Sequence, residues 1–479
     1  MSAVLWESLN AWWPEAILSV GALLVILLGA WRRQSQAALA ATGLTLLLSG
    51  MALGKVPVPP PTGVFFGLVV CDPFSLAFRW IVFATLVITL LLIMASRDIQ
   101  LSLRGECLGL LLFIGVGLML MAEASHLLMA YVAMELVSLS SYLLVGFLND
   151  SRSAEASLKY LLFGALSSGI MLFGMSLLFG LTGELAFPAL LHSSATLSGP
   201  MSGALRVAVA LMLAGLAFKI SMVPFHLWTP DAYEGAPVPV TALLSVGPKA
   251  AGFALLLRVM ETLRPAWPTV APLVVVLTIV TMTLGNLVAL VQTNVKRLLA
   301  YSTIGQVGYL LIGLSVHTRL GLDALLLYLV AYLFMNLGAF GCVVAVVNDT
   351  GSESVEAFRG LAQCAPALAL LYTLFLLSLA GIPPLLGFVG KFLLFGSAIA
   401  SGRLVLALAG VINSAIALYY YVNLIRLMYF VEPSQTAPLR AAPALRVAVG
   451  ACAVATLLLG LFPAQLMTWL DGSAVVNLL

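Results

Sequence analysis

Apolar runs of 16 or more residues, parted by short polar breaks, recur from one end of the chain to the other. Each is long enough, or nearly so, to cross a hydrocarbon core of roughly 30 Å as a helix. The pattern predicts fourteen membrane helices, over residues 14–31, 37–54, 73–95, 107–122, 126–148, 155–181, 204–223, 238–260, 268–291, 298–316, 320–347, 367–399, 403–430 and 442–462.

Composition agrees with the pattern. Of the 479 residues 62% are hydrophobic and only 9% charged, and the mean hydropathy is +1.12, far from a soluble domain with about half its residues apolar and a quarter charged. The expected class is an all-α polytopic membrane protein. Its orientation follows from where the cations fall, because Lys and Arg collect in cytoplasmic loops. With the N-terminus outside, the inner loops gather Arg32, Arg33, Arg97, Arg104, Arg152, Lys296, Arg297, Arg359, Arg426, Arg440 and Arg446, against Lys55, Arg206, Arg258, Arg264, Arg319 and Arg403 outside. Eleven against six favours both termini on the outer side. The first run is preceded by Glu7 and no basic residue, the wrong flank for a cleaved signal peptide, and is expected to stay as a membrane helix.

The five cysteines (Cys71, Cys107, Cys342, Cys364, Cys452) lack the CxxC or Cys/His spacing of a metal or iron–sulfur site. A phosphate-cradling glycine motif is absent as well. No cofactor is expected in this chain, and no nucleic-acid partner.

Five cations remain inside apolar runs: Arg79, Lys159, Lys219, Lys249 and Lys391. A lysine facing lipid at mid-membrane costs on the order of 3 kcal/mol, so such residues turn inward to partners or water. Glu135, in "LLMAYVAMELVSLSSYLLVGF", is the carboxylate at matching depth, with Ser138 and Tyr142 on its helix face. Arg79, beside Trp80 and two turns from the helix end, reads as an interfacial anchor. Lys159, with Glu155 one turn away, reads equally as a surface-type pair or as a functional cation. Lys219, Lys249, Lys391 and Glu135 are too deep to snorkel and are the candidate functional charges.

Backbone context narrows this further. Pro224 follows Lys219, Gly247-Pro248 precedes Lys249, and Pro383-Pro384 precede Lys391. Proline breaks or kinks a membrane helix, and broken helices line polar sites in transporters. Helices 7, 8 and 12 are therefore expected to be broken. His226, just past Pro224, either exchanges protons at the inner end of helix 7 or holds the loop "HLWTPDAYEGAP". Helices 4–8 (107–260) and 9–13 (261–430) form two blocks of five, and an odd number of crossings inverts the second relative to the first. Residues 1–106 (helices 1–3) and 431–479 (helix 14) flank them.

The segments "YVAMELVSLSSYLLVGF" (131–147), "EASLKYLLFGALSSGIMLFGMSLLFG" (155–180), "FKISMVPFHLWTPDAYEGAP" (218–237), "NVKRLLAYSTIGQVGY" (294–309) and "GIPPLLGFVGKF" (381–392) carry a resemblance over nearly the whole chain. It resembles the antiporter-like membrane subunits of respiratory complex I, the bacterial NADH-quinone oxidoreductase. Lysine rather than glutamate at 391, and a chain that stops soon after helix 14, fit the N type better than the M or L type. The resemblance implies a fourteen-helix fold with inverted repeats and one proton pathway. Glu135 and Lys219 would form its interacting pair, Lys249 would continue it, and Lys391 would lead to the outer half-channel. Lys159 matches the sixth-helix lysine of the family. It also implies FMN, iron–sulfur clusters and quinone in partner subunits, membrane and peripheral neighbours, lipid contact, and the bacterial inner membrane with periplasmic termini. Sodium/proton antiporter, proton-translocating hydrogenase and NAD(P)H–plastoquinone complexes share these motifs, and a scaffold with vestigial charges is the reading from another class.

Overall fold

The computed structural model describes residues 2–32, 35–56, 62–197, 200–433, 439 and 441–471. Arg33 and Arg440, counted above among inner-loop cations, lie outside the described residues. The chain opens with α1 (Ser2–Arg32), α2 (Ser35–Leu53), a hairpin of β1 (Thr62–Val64) and β2 (Val69–Cys71), and α3 (Pro73–Ala95). Next come α4 (Arg104–Glu123), α5 (Leu127–Val145), α6 (Ser151–Thr182), the short α7 (Phe187–Thr196), α8 (Pro200–Ile220), the short α9 (Trp228–Gly235) and α10 (Val238–Thr262). The remainder is α11 (Trp267–Ala289), α12 (Val295–Val316), α13 (Arg319–Thr350), the one-turn α14 (Leu361–Cys364), α15 (Pro366–Ala380), α16 (Leu386–Ala400), α17 (Leu404–Phe430), α18 (Pro443–Leu461) and α19 (Pro463–Asp471).

Among the described residues, 13 helices are long and apolar enough to cross a membrane. The fourteenth crossing is split into α15 and α16. Helices dominate because lipid offers no partner for a free backbone group, so each crossing must satisfy its own. Their ends follow the sequence: Asp72, Asp150 and Asn294 accept first-turn N–H groups of α3, α6 and α12, and Gly183 and Gly351 close α6 and α13 in the left-handed conformation. The hydrophobic spans of α10, α12 and α13 are almost wholly buried and form the centre, whereas α1, α2, α6, α17 and α18 turn leucine, valine and phenylalanine outward.

A backbone signature recurs at a fixed interval. Leu127 N–H donates to Leu185 O and Phe187 N–H to Ser125 O; 168 residues later, Val295 N–H donates to Glu353 O and Val355 N–H to Thr293 O. The two bridges lie on opposite membrane faces, because five crossings separate them. The face of the Ser125–Phe187 bridge is here called the first face, and that of the Thr293–Val355 bridge the second.

The breaks repeat too, 160 residues apart. Ser221 and Gly381 are both left-handed, Met222 N–H and Ile382 N–H each reach back five residues to Ala217 O and Leu377 O, and each turn runs into a cis proline, Pro224 or Pro384. Helices 7 and 12 are thus broken in the same way. In this register Lys219 corresponds to Leu379 and Lys391 to Asp231. The first lysine therefore precedes its break and the second follows it.

Helix 8 departs from expectation, since α10 runs unbroken through Pro248. The proline leaves the carbonyl of Leu244 without its helical donor, and the Lys249 ammonium takes that carbonyl at 3.1 Å. Burial on all sides keeps the helix continuous through the substituted bond.

Three cations also sit elsewhere than their sequence context suggested. Arg79 is no interfacial anchor: it is fully buried between Glu15 (2.6 Å) and Glu123 (2.9 Å). Arg258, assigned to an outer loop, lies inside α10 at 3% exposure and binds Asp72. Lys296, assigned to an inner loop, is buried and donates to Ala236 O at 2.8 Å and to Glu353.

Candidate functional site

Four of the predicted charges, Glu135, Lys219, Lys249 and Lys391, follow one polar line, buried at the three lysines and partly exposed at Glu135. On α5, Glu135 accepts from Ser168 Oγ of α6, so its company comes from the next helix. Ser138, one turn on, serves Lys219: the ammonium donates to Ser138 Oγ at 2.9 Å and Met134 O at 3.3 Å. Lys219 is fully buried, while Glu135 is partly exposed at the edge of the chain. Among the described residues no direct ion pair joins them; Ser138, on the Glu135 helix, stands beside the ammonium instead. Tyr142 packs edge-on against Tyr160.

Lys249, also fully buried, stands 4.7 Å from the Trp228 ring centre and 5.1 Å from that of Tyr233, both on α9. The short helix after the first break thus presents aromatic faces to a cation, an attraction that strengthens out of water. One turn from Lys249, Ser245 Oγ accepts from Asn336 Nδ2 at 2.6 Å.

Asn336 begins a segment that sequence reading did not single out. Tyr328, Tyr332 and Asn336 stand four residues apart on α13, hence on one face. Tyr332 donates to Thr303 Oγ1 at 2.9 Å and Tyr328 to Gln306 Oε1, both on α12. Gln306 Nε2 donates in turn to Leu379 O at 3.1 Å. That same carbonyl accepts from Lys391 Nζ at 2.9 Å, and the ammonium also reaches Ala380 O and Ser414 Oγ, each at 3.1 Å, beneath the Tyr309 ring at 4.3 Å. Lys391 reaches back across its break to the residue equivalent to Lys219. The carbonyls freed by the break, at the negative end of α15, hold the cation without a carboxylate.

The other two candidates lie off this line. Lys159 is 43% exposed at its side chain and binds Glu155 (2.7 Å) and Asp231 (3.2 Å) at the second face. Arg297 joins Asp231 and Glu234 there, each at 2.7 Å, and Arg152 bridges Glu234 and Glu353. His226 is buried in the turn after Pro224, with its Nδ1 unpaired. Burial pushes its pKa below the ordinary imidazole value, against a hydrogen bond to the Pro224 backbone, so the ring is neutral near pH 7.

The second break depends on one close approach. Gly387 N–H donates to Ser378 Oγ at 3.1 Å, and a Cβ on Gly387 would lie 1.9 Å from Ser378 O, a backbone atom that cannot swing away. Gly387→Ala is expected to push α16 off α15 and destabilise the fold by about 1–3 kcal/mol or more, the usual cost of overpacking. Gly396→Ala, in the same helix with open space at its Cβ, is expected to change nothing. Thermal unfolding of the two variants in detergent checks the contrast, and equal stability would refute it.

Comparison with known proteins is decisive. Residues 124–417, which contain every candidate above, match the family described as NADH:quinone oxidoreductase/Mrp antiporter, TM. The chain belongs to this family. A curated relative, NADH-quinone oxidoreductase subunit N from an Anaeromyxobacter species, is 40% identical, with 96% of this chain and 95% of the relative covered. Among solved structures, a chain of respiratory complex I from Thermus thermophilus is 35% identical with a TM-score of 0.81, over 95% of this chain and 98% of that one. A chain of the Mrp complex from a Dietzia species is 24% identical with a TM-score of 0.84, over 98% and 97%, a likeness of fold alone.

Proposed function

We propose that this chain is a proton-translocating subunit of an NADH-quinone oxidoreductase, moving protons along Glu135, Lys219, Lys249 and Lys391 while electrons pass to quinone elsewhere in the complex. One observation carries the reading. Three buried lysines, none in an ion pair among the described residues, lie along a nearly continuous run of hydroxyls, amides and freed carbonyls. Such groups can relay a proton, and lysine can gain or lose one where arginine cannot. A static scaffold would gain nothing from uncompensated cations at this depth. Lys159 and His226 flank the second-face approach to the axis.

The inverted blocks, residues 107–260 and 261–430, each contribute a broken helix to this path, and the alternation of breaks gives each membrane face its own half-channel. The partly exposed Glu135 lies among outward-facing Leu128, Val132, Leu139 and Leu143, so this side of α5 suits a neighbouring membrane subunit better than lipid. FMN, iron–sulfur clusters and quinone are assigned to partner chains. The setting is the bacterial inner membrane, with both termini periplasmic.

The test is to tag the chain, extract membranes in mild detergent and run a native gel. Comigration with an NADH-oxidising, flavin-containing band is expected. Migration in a smaller assembly without NADH activity, coupled to sodium-dependent collapse of a pH gradient, would replace this reading with a sodium/proton antiporter.

A further inference from the structure

The cluster around Arg79 has one acceptor too many. Arg79 Nη2 donates to Glu15 Oε2 at 2.6 Å, Nε to Glu15 Oε1 at 2.7 Å, and Nε also lies 2.9 Å from Glu123 Oε1. Two carboxylates thus share one guanidinium, with Glu15 fully buried and Glu123 3% exposed. Beside them Arg258 is committed to both oxygens of Asp72, at 2.9 and 3.0 Å, and to Ala122 O at 2.7 Å. Three carboxylates therefore face two cations. Among the described residues the remaining titratable neighbours add no positive charge: burial pushes the Cys71 thiol up to about 11, and burial lowers His126 below the ordinary imidazole value, so both are neutral near pH 7.

A second observation locates the excess. Among the described residues Glu123 Oε2 is buried without a donor, and its carboxyl meets the Glu15 carboxyl at the shared Arg79 Nε, where Glu15 too is an acceptor when ionised. A proton is the donor this contact lacks. When two carboxyl groups share a site, one of them retains its proton, because the charges cannot both be desolvated side by side. We propose that Glu15 and Glu123 hold one resident proton between them at neutral pH, forming a proton-binding site under the first face that is separate from the lysine axis. The site lies where α1, α3, α4 and α10 meet. The β1–β2 hairpin covers it, pinned to α1 by Phe65 N–H on Ser8 Oγ (3.3 Å) and to the α4–α5 turn by Ser125 N–H on Leu68 O (3.1 Å).

The test is infrared spectroscopy of the chain in its native membrane complex at neutral pH, comparing wild type with Glu123→Gln. The expected difference is the loss of one carboxylic-acid C=O band, shifted in deuterated water, with no loss of carboxylate bands, because Glu15 then pairs alone with Arg79. Glu15→Gln is expected to give the same spectrum, since the surviving partner ionises. Loss of carboxylate bands only, in either variant, would mean both glutamates are charged and would overturn the proposal. Failure of both variants to assemble would also overturn it, because glutamine matches the size and neutrality of a protonated glutamate.

Discussion

Lys219→Ala is expected to lower proton pumping by about tenfold or more, an effect of at least ~1.4 kcal/mol on the transport step, while the chain still assembles. Assembly should survive because the substitution removes a fully buried ammonium held only by Ser138 Oγ and Met134 O. Taking that charge away spares a desolvation cost that offsets the lost packing. Transport should fail because no other cation stands between Glu135 and Lys249 on the described axis. At about 6 Å and an effective dielectric near 20, Glu135 and Lys219 would attract by roughly 3 kcal/mol, and separation to about 12 Å would halve this. A swing of that size changes proton occupancy about tenfold. Glu135→Gln keeps the shape and deletes the charge, so it should fall in the same direction. NADH-driven acidification of reconstituted vesicles, normalised to electrons transferred, measures both. An unchanged proton-to-electron ratio in Lys219→Ala would remove this lysine from the pathway.

The crossings were legible in the sequence because membrane helices announce themselves by run length and composition, and lipid permits little else. The breaks at Pro224 and Pro384 were legible because the break-prone residue lies beside the lysine it serves. Pro248 misled because a local rule cannot see that Lys249 itself takes the orphaned Leu244 carbonyl. The Arg79 cluster was hidden for a different reason: Glu15 is 64 residues upstream, beyond a hairpin, and Glu123 ends the following helix, so nothing local distinguishes a buried triad from an interfacial anchor. The polar link between Lys249 and Lys391 did leave a signal. Tyr328, Tyr332 and Asn336, at spacing four within an otherwise apolar run, mark one helix face, but uncharged residues did not stand out beside four buried charges.

Arg258→Leu is expected to cost about 3–5 kcal/mol, the penalty for stranding the partner of a buried ion pair, and so to deplete the assembled complex. Asp72 is 4% exposed and has two tasks: it caps α3 by accepting Ser75 N–H at 2.7 Å, and it receives Arg258 at both oxygens. Without the guanidinium the cap remains, but its charge is left in a low-dielectric site already crowded by Glu15 and Glu123. The Ala122 carbonyl loses its donor as well. Asp72→Asn keeps a capping oxygen and removes the charge, so the double variant Asp72→Asn with Arg258→Leu should recover part of the loss; the coupling in that cycle isolates the pair. Arg319→Leu is the control, because its 3.8 Å pair with Asp323 leaves the arginine 64% exposed and such pairs contribute at most about 1 kcal/mol. Thermal inactivation midpoints and the yield of assembled complex rank the variants. If Arg258→Leu proved no worse than Arg319→Leu, the charge beneath the hairpin would be solvated, and the first face would be open to water down to Asp72.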